Sequence, residues 1–319
     1  MGDCACEDYI FSLQEFLNGV AYPFNSKGEP CVRPPKLLFA YTGKRVLECS
    51  AFMKHRFLVY FEFARISFLK ILAYRLRYFT GIVTYFINVS VYYFIWSAIY
   101  GSSTDVGGYD LPQMTTYVAI GWIIRSFYFN NVDRDIAAEV LEGKIAINLI
   151  KPVDVQLMYI SQTVGESCFR AVLFTLPIAA VLLFVYPISP PASAASGALF
   201  FLSCILALLI FTLINFWVGT LALHIYSILG VIRAKYAIVE FFSGLLIPIS
   251  FFPQSMQRFM RYLPFQHISF TPLQIYLGKV RGEAALEALA EQFLWIVLLY
   301  GASRLFWRFS TRRLSIQGG

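Results

Sequence analysis

The residues best suited to chemistry gather in one short stretch, Asn131 to Asp154, where Asp133, Arg134, Asp135, Glu139, Glu142, Lys144, Lys151 and Asp154 alternate in sign around Gly143 and Pro152. Carboxylates and cations at this density make ion pairs and charged contacts between surfaces. Catalysis needs more, namely a nucleophile beside a base or metal ligands at fixed spacing. The histidines His55, His224 and His267 stand far apart in sequence, and no His-Glu-x-x-His occurs. Gly43-Lys44, Gly143-Lys144 and Gly278-Lys279 are followed by Arg, Ile and Val instead of Ser or Thr, so the chain has no P-loop for ATP. Cys4 and Cys6 lack a second ligand pair at zinc spacing, and Cys168 and Cys204 fall within apolar segments. No catalytic residue, metal site or cofactor of its own is expected.

A second set of polar groups lies within apolar runs. Arg125 would cost about 2.5 to 3.5 kcal/mol facing lipid at a helix centre, so it must snorkel, face a cavity or pair with an acid such as Glu240. Tyr85, Asn88, Tyr92 and Trp96 share one run and, with Arg125, could line a path for flat, apolar or cationic substrates. The same residue types also serve packing and the interfacial belt. Glu166 and Arg170 are spaced for an i,i+4 ion pair.

The elements that must position these residues are membrane helices. The chain is 58% hydrophobic and 14% charged with a mean hydropathy of +0.62, against about 25% charged residues in an ordinary globular chain. Charge-poor runs over about 80–100, 114–129, 169–185, 197–226, 236–252 and 293–307 predict an all-α polytopic membrane protein with six transmembrane helices. An amphipathic pattern over 57–77, carrying Arg65, Lys70, Arg75 and Arg77, predicts an N-terminal interfacial helix on anionic lipid. Residues 1–52 are polar and start with an acidic stretch unlike a signal peptide; a poorly ordered extension before a start at Met53 is expected, with 53–319 as the transmembrane domain.

The net charge of +7 resides at the edges of the runs, which argues for membrane orientation and against nucleic acid. Cations alternate loop by loop as six crossings with both termini cytoplasmic require. The exception is the 253–292 connection, with Arg258, Arg261, Lys279 and Arg281.

The stretch over 131–154 is too long and patterned for a turn: Ile136, Val140 and Ile147 mark an apolar face, and Gly143 and Pro152 punctuate two helices. A surface helix beneath the membrane domain and a docking helix for a partner both fit. A charged helix ending in Glu142-Gly143, followed by Leu149-Ile150-Lys151-Pro152-Val153, resembles the cytoplasmic coupling segment of type-2 ABC exporter permeases. Leu263-Pro264-Phe265-Gln266-His267-Ile268 with Thr271-Pro272-Leu273 is similar to their Pro-Phe loop. Trp122 to Asn131, Ala234-Lys235-Tyr236 and Gln274-Ile275-Tyr276-Leu277-Gly278 look like the viologen-exporter-type bacterial branch. The resemblance spans Met53 to the C-terminus.

The resemblance implies a half-permease of a bacterial inner (plasma) membrane that dimerises, with itself or a sister permease, amid membrane lipid. A separate ABC ATPase subunit would hold ATP and Mg. The ATPase-coupling residues would be Asp133, Arg134, Glu139, Glu142, Gly143, Lys144, Lys151 and Pro152; Lys144 departs from the Thr common after the Glu-Gly pair. A lipid-modifying membrane enzyme and an ion-coupled secondary transporter are the competing classes, and the substrate leaves no side-chain code in the sequence.

Overall fold

The computed structural model describes residues 57–70, 76–101, 105–225 and 227–312. The expected extension over 1–52 and the start at Met53 lie outside them. All described regular elements are helical, apart from one isolated bridge between Val106 and Tyr109. In chain order they are α1 (57–70), α2 (Leu76–Tyr100), α3 (Leu111–Tyr128), α4 (Val132–Leu141), α5 (Ile145–Ile150), α6 (Val155–Arg170), α7 (Leu176–Val185), α8 (Ala194–Thr220), α9 (Leu229–Phe242), α10 (Gln254–Arg261), α11 (Phe270–Tyr276) and α12 (Glu283–Thr311).

Four segments are long and apolar enough to cross a membrane: Thr80–Tyr100, Val155–Val185, Ala194–Leu223 and Glu283–Thr311. The other two predicted runs behave differently. Helix α3 has 18 residues, about 27 Å at 1.5 Å per residue, close to the hydrocarbon thickness, with Thr115, Thr116 and Arg125 lowering its apolarity. Helix α9 ends after 14 residues at Phe242, well short of the predicted limit at Phe252. Gly244 then takes a left-handed φ of 74° and a 3-10 turn follows at Ile249–Phe251. Irregular backbone at this depth is tolerated because protein surrounds it: Leu245 and Ile249 are buried, and the Gly244 carbonyl accepts from the Tyr117 hydroxyl.

Two ends of the bundle can be told apart by their contacts. At one, α4 and α5 lie across the feet of α6, α8 and α12, with Ile136, Ile145, Met158, Phe216 and Trp307 in one apolar cluster. Gly219 makes this contact possible, since a Cβ there would meet the Asp133 Cα at 3.0 Å. At the far end, the turn at Gly107 and Gly108, with φ of 62° and 82°, meets the chain leading into α12. Lys279 Nζ donates to the Gly108 carbonyl at 2.5 Å and rests 4.0 Å from the Tyr109 ring centre. Arg281 Nε donates to the Gly278 carbonyl at 2.5 Å. Two of the four cations that broke the loop alternation are therefore tied into local structure, where they serve as hydrogen-bond donors.

Helix starts follow local chemistry. Asp110, Asp154 and Ser193 accept from the backbone N–H of Gln113, Leu157 and Ser196. The third predicted run begins 14 residues earlier than its apolar composition, because α6 continues through a π turn at Ala171–Thr175 into α7. Pro177 explains the widened turn: its ring would clash with the carbonyl four residues back in a regular helix.

Helix α1 joins the bundle through α6. A Cβ on Gly165 would stand 1.9 Å from the Ala64 carbonyl oxygen, so only glycine permits this approach. Phe68 meets Phe169 edge-on at 5.4 Å. Gly165→Leu should detach α1, an overpacking cost of about 1–3 kcal/mol, and limited proteolysis should then cut within 57–70 while the remaining bundle stays protected.

Candidate functional site

The stretch singled out in the sequence folds into α4, a left-handed turn at Gly143 (φ 71°), α5 and the α6 cap. Its predicted residues divide into two groups. Asp133 is completely buried and points into the membrane domain. Lys235 of α9 donates to it at 2.7 Å and to Asn215 Oδ1 of α8 at 2.5 Å. Asn215 in turn donates to Asn130 Oδ1 at 2.9 Å, and Asn130 donates to Thr212 Oγ1 at 3.1 Å. The Lys235 ammonium also lies 3.6 Å from the Tyr236 ring centre.

The second group faces outward. Arg134, Glu142, Gly143, Lys144, Lys151 and Pro152 are exposed. Lys144 pairs with Glu142 at 2.5 Å, and this hydrogen bond and charge raise the Lys144 pKa above the ordinary lysine value. Around that pair project Leu141, Ile147 and Ile150, the last 83% exposed. The expected apolar face is thus split, with Ile136 inside the protein, Val140 half-buried and Ile147 outside. Glu139 lies between the groups and accepts from Tyr159 Oη and Asn148 Nδ2, both at 2.5 Å.

Asp154, named in the stretch but not among the predicted site residues, holds three elements. It caps α6, pairs with Arg304 of α12, and its N–H donates to the Tyr60 hydroxyl of α1 at 3.0 Å. Lys235, Asn215 and Asn130 were also passed over. The available signal was their polarity at the ends and interior of apolar runs, which demands a buried partner.

The second predicted set is brought together in part. Tyr85 and Tyr92 contact Trp122 at 5.4 and 6.3 Å, and Arg125 lies over the same ring at 5.2 Å while pairing with Glu240. Trp96 sits further along α2, against Phe251 at 5.6 Å. Asn88 donates back to the Thr84 carbonyl of its own helix at 2.8 Å. Glu166 and Arg170 form the anticipated pair, and Arg170 also donates to the Phe129 carbonyl.

The model of the ABC-2 family transporter proteins matches residues 86–318. The chain belongs to the ABC-2 transporter family. It is a multi-pass membrane component of an ABC transporter, a permease subunit of the kind that associates with an ABC ATPase. No curated protein matches the sequence. The matched span contains α4, α5 and the Pro264-Phe265 turn, so the ABC-2 permease has its most polar buried contacts where the outward-facing segment joins the membrane helices.

Two outcomes follow for this permease. Asp133→Ala should destabilise it by about 3–5 kcal/mol by leaving the Lys235 ammonium buried and unpaired, whereas the double change Asp133→Leu, Lys235→Met should recover most of the loss; chemical unfolding in detergent checks this. Asp135 keeps access to a recess beside α4, yet the enclosing walls, Glu166, Glu139 and Asp133 outweigh Lys70 and raise its pKa to about 6. A carboxyl with a folded pKa above its unfolded value of 3.8 erodes stability as pH rises through that window. Asp135→Asn should therefore unfold at a higher temperature than the parent at pH 7, with the difference vanishing toward pH 4.

Proposed function

We propose that this chain is the transmembrane subunit of an ATP-driven exporter, and that the α4–α5 segment is the surface through which a separate ABC ATPase moves it. The observation carrying this reading is the two-sided segment: an outward face of Leu141, Glu142, Lys144, Ile147 and Ile150, and an inward face bolted by Asp133 to Lys235, which in turn bonds Asn215. A displacement applied outside would reach α8 and α9 directly, since a buried ion pair resists separation. ATP and Mg belong to the partner. Six crossings with both termini cytoplasmic, the fifth made by α9 and the irregular chain after it, complete this reading. So does a second permease, identical or sister, in a bacterial inner membrane.

The aromatic group of Tyr85, Tyr92 and Trp122 beside Arg125 is the proposed wall of the substrate path. Its rings favour flat apolar or cationic molecules, and Glu240 offsets the Arg125 charge beside them.

The test is affinity purification of the tagged chain from its native membrane in mild detergent, with identification of co-purifying chains and an ATPase assay. Recovery of a P-loop ATPase, lost in the double change Glu142→Lys, Lys144→Glu while the permease remains folded, is the expected outcome. Recovery of the chain alone across several detergents would return the lipid-enzyme and ion-carrier classes to the front.

A further inference from the structure

A recess of about 820 Å³ opens between α1, α2, α4 and α6. This is the size of a drug-sized or headgroup-sized site. One part of its wall is apolar and aromatic, formed by Phe63 and Ile66 of α1 with Tyr85, Phe129 and Phe174. The other part is charged. Four acids face it, Asp135, Glu139, Glu142 and Glu166, together with Lys70, Lys144 and Arg170.

Internal pairing removes most of these charges. Glu142 is matched by Lys144 and Glu166 by Arg170, while Glu139 accepts two hydrogen bonds. Among the described residues, the side chains of Asp135 and Lys70 are left facing one recess with no ion pair or side-chain hydrogen bond, and they feel each other's charge without closing a bridge. A separated acid and base in one cavity match a ligand that is itself dipolar. The raised pKa of Asp135 agrees, because burial in the recess and the neighbouring Glu166 penalise its charged form more than Lys70 favours it.

Beside the charged wall lies α1, whose exposed Phe57, Leu58, Phe61, Ile66 and Leu69 suit a helix at the lipid interface. An apolar rim next to a dipolar interior fits a molecule with an acyl body and a zwitterionic head. We infer that the recess seats a phospholipid headgroup, with a primary ammonium at Asp135 and the phosphate at Lys70. A primary ammonium has three donors for the carboxylate and its neighbour Glu139, whereas a trimethylated one has none. The site needs a membrane around the chain but no docked ATPase, and it meets the proposed coupling surface at Glu142 and Lys144, which border both.

The test uses the full-length protein in detergent micelles doped with dioleoyl phosphatidylethanolamine, phosphatidylcholine or phosphatidylglycerol, with retained lipid counted by native mass spectrometry. Phosphatidylethanolamine should be retained roughly tenfold more than either alternative, and Asp135→Asn or Lys70→Gln should each lower that retention by about tenfold, the loss of one charge-assisted hydrogen bond. Soluble glycerophosphoethanolamine at millimolar concentration should fail to displace the lipid; displacement would reassign the site to a free headgroup compound. A photoactivatable phosphatidylethanolamine on the unaltered protein should crosslink within 57–70 or 129–139. Equal retention of the three lipids, or crosslinks confined to other segments, would overturn the site, whereas retention of the lipid without any ATPase partner would leave it standing and count only against the coupling reading.

Discussion

A carboxylate and an ammonium withdrawn from water each lose several kcal/mol of solvation, and their attraction offsets this only when geometry is tight and the remaining donors are satisfied. Asp133 and Lys235 meet those terms at 2.7 Å, with Asn215 taking a second proton of the ammonium and the Tyr236 ring covering it. The cost of separating them joins three elements, α4, α8 and α9, into one unit. The close approach at Gly219 exists to permit this contact, and Asn130 and Thr212 extend the polar chain along α8. Removing the pair leaves apolar packing alone to hold the outward-facing segment to the membrane helices.

The two ends of the bundle are held by different physics. The end bearing α4 depends on charge: Asp133 with Lys235, Asp154 with Arg304, Glu166 with Arg170. The far end depends on aromatic stacking and neutral or singly charged hydrogen bonds, with Tyr109 against Phe251 and Tyr117, Gln274 Nε2 donating to the Tyr109 hydroxyl at 2.6 Å, and Tyr276 donating to the Ser189 carbonyl at 2.9 Å. Ion pairs tolerate sliding less than ring contacts do, because their attraction in a dry setting falls steeply as water enters. In the proposed coupling, the charged end would transmit displacement and the aromatic end would accommodate it.

Much of the architecture was legible in the sequence because apolar runs near twenty residues have few other uses. The four membrane-length helical segments overlap four predicted runs, and the Glu166–Arg170 pair followed from spacing alone. The break after Phe242 was not legible, since Leu245 to Ile249 is as apolar as the helix before it; what stops the helix is the left-handed Gly244, surrounded by buried neighbours. Nor did spacing reveal that Asp133 and its near neighbour Glu142 face opposite ways. The partner Lys235 is 102 residues distant, and such pairings are set by tertiary packing. The Arg125–Glu240 pair was one of several options that charge balance allowed, and only the fold selects it.

The widened turn at Ala171–Thr175 has a mechanical meaning for the Val155–Val185 span. A π turn followed by Pro177 leaves a helix with fewer regular backbone bonds per unit length at that level, so its bending stiffness is lowest there. Below the turn, α6 is clamped by Asp154, Gln156 and Gly165 to α12 and α1. Above it, α7 is fixed to α2 through the hydrogen bond from Tyr186 to Ser90 at 2.6 Å. The span thus behaves as two levers on a shared pivot, able to change the tilt of one half without dragging the other.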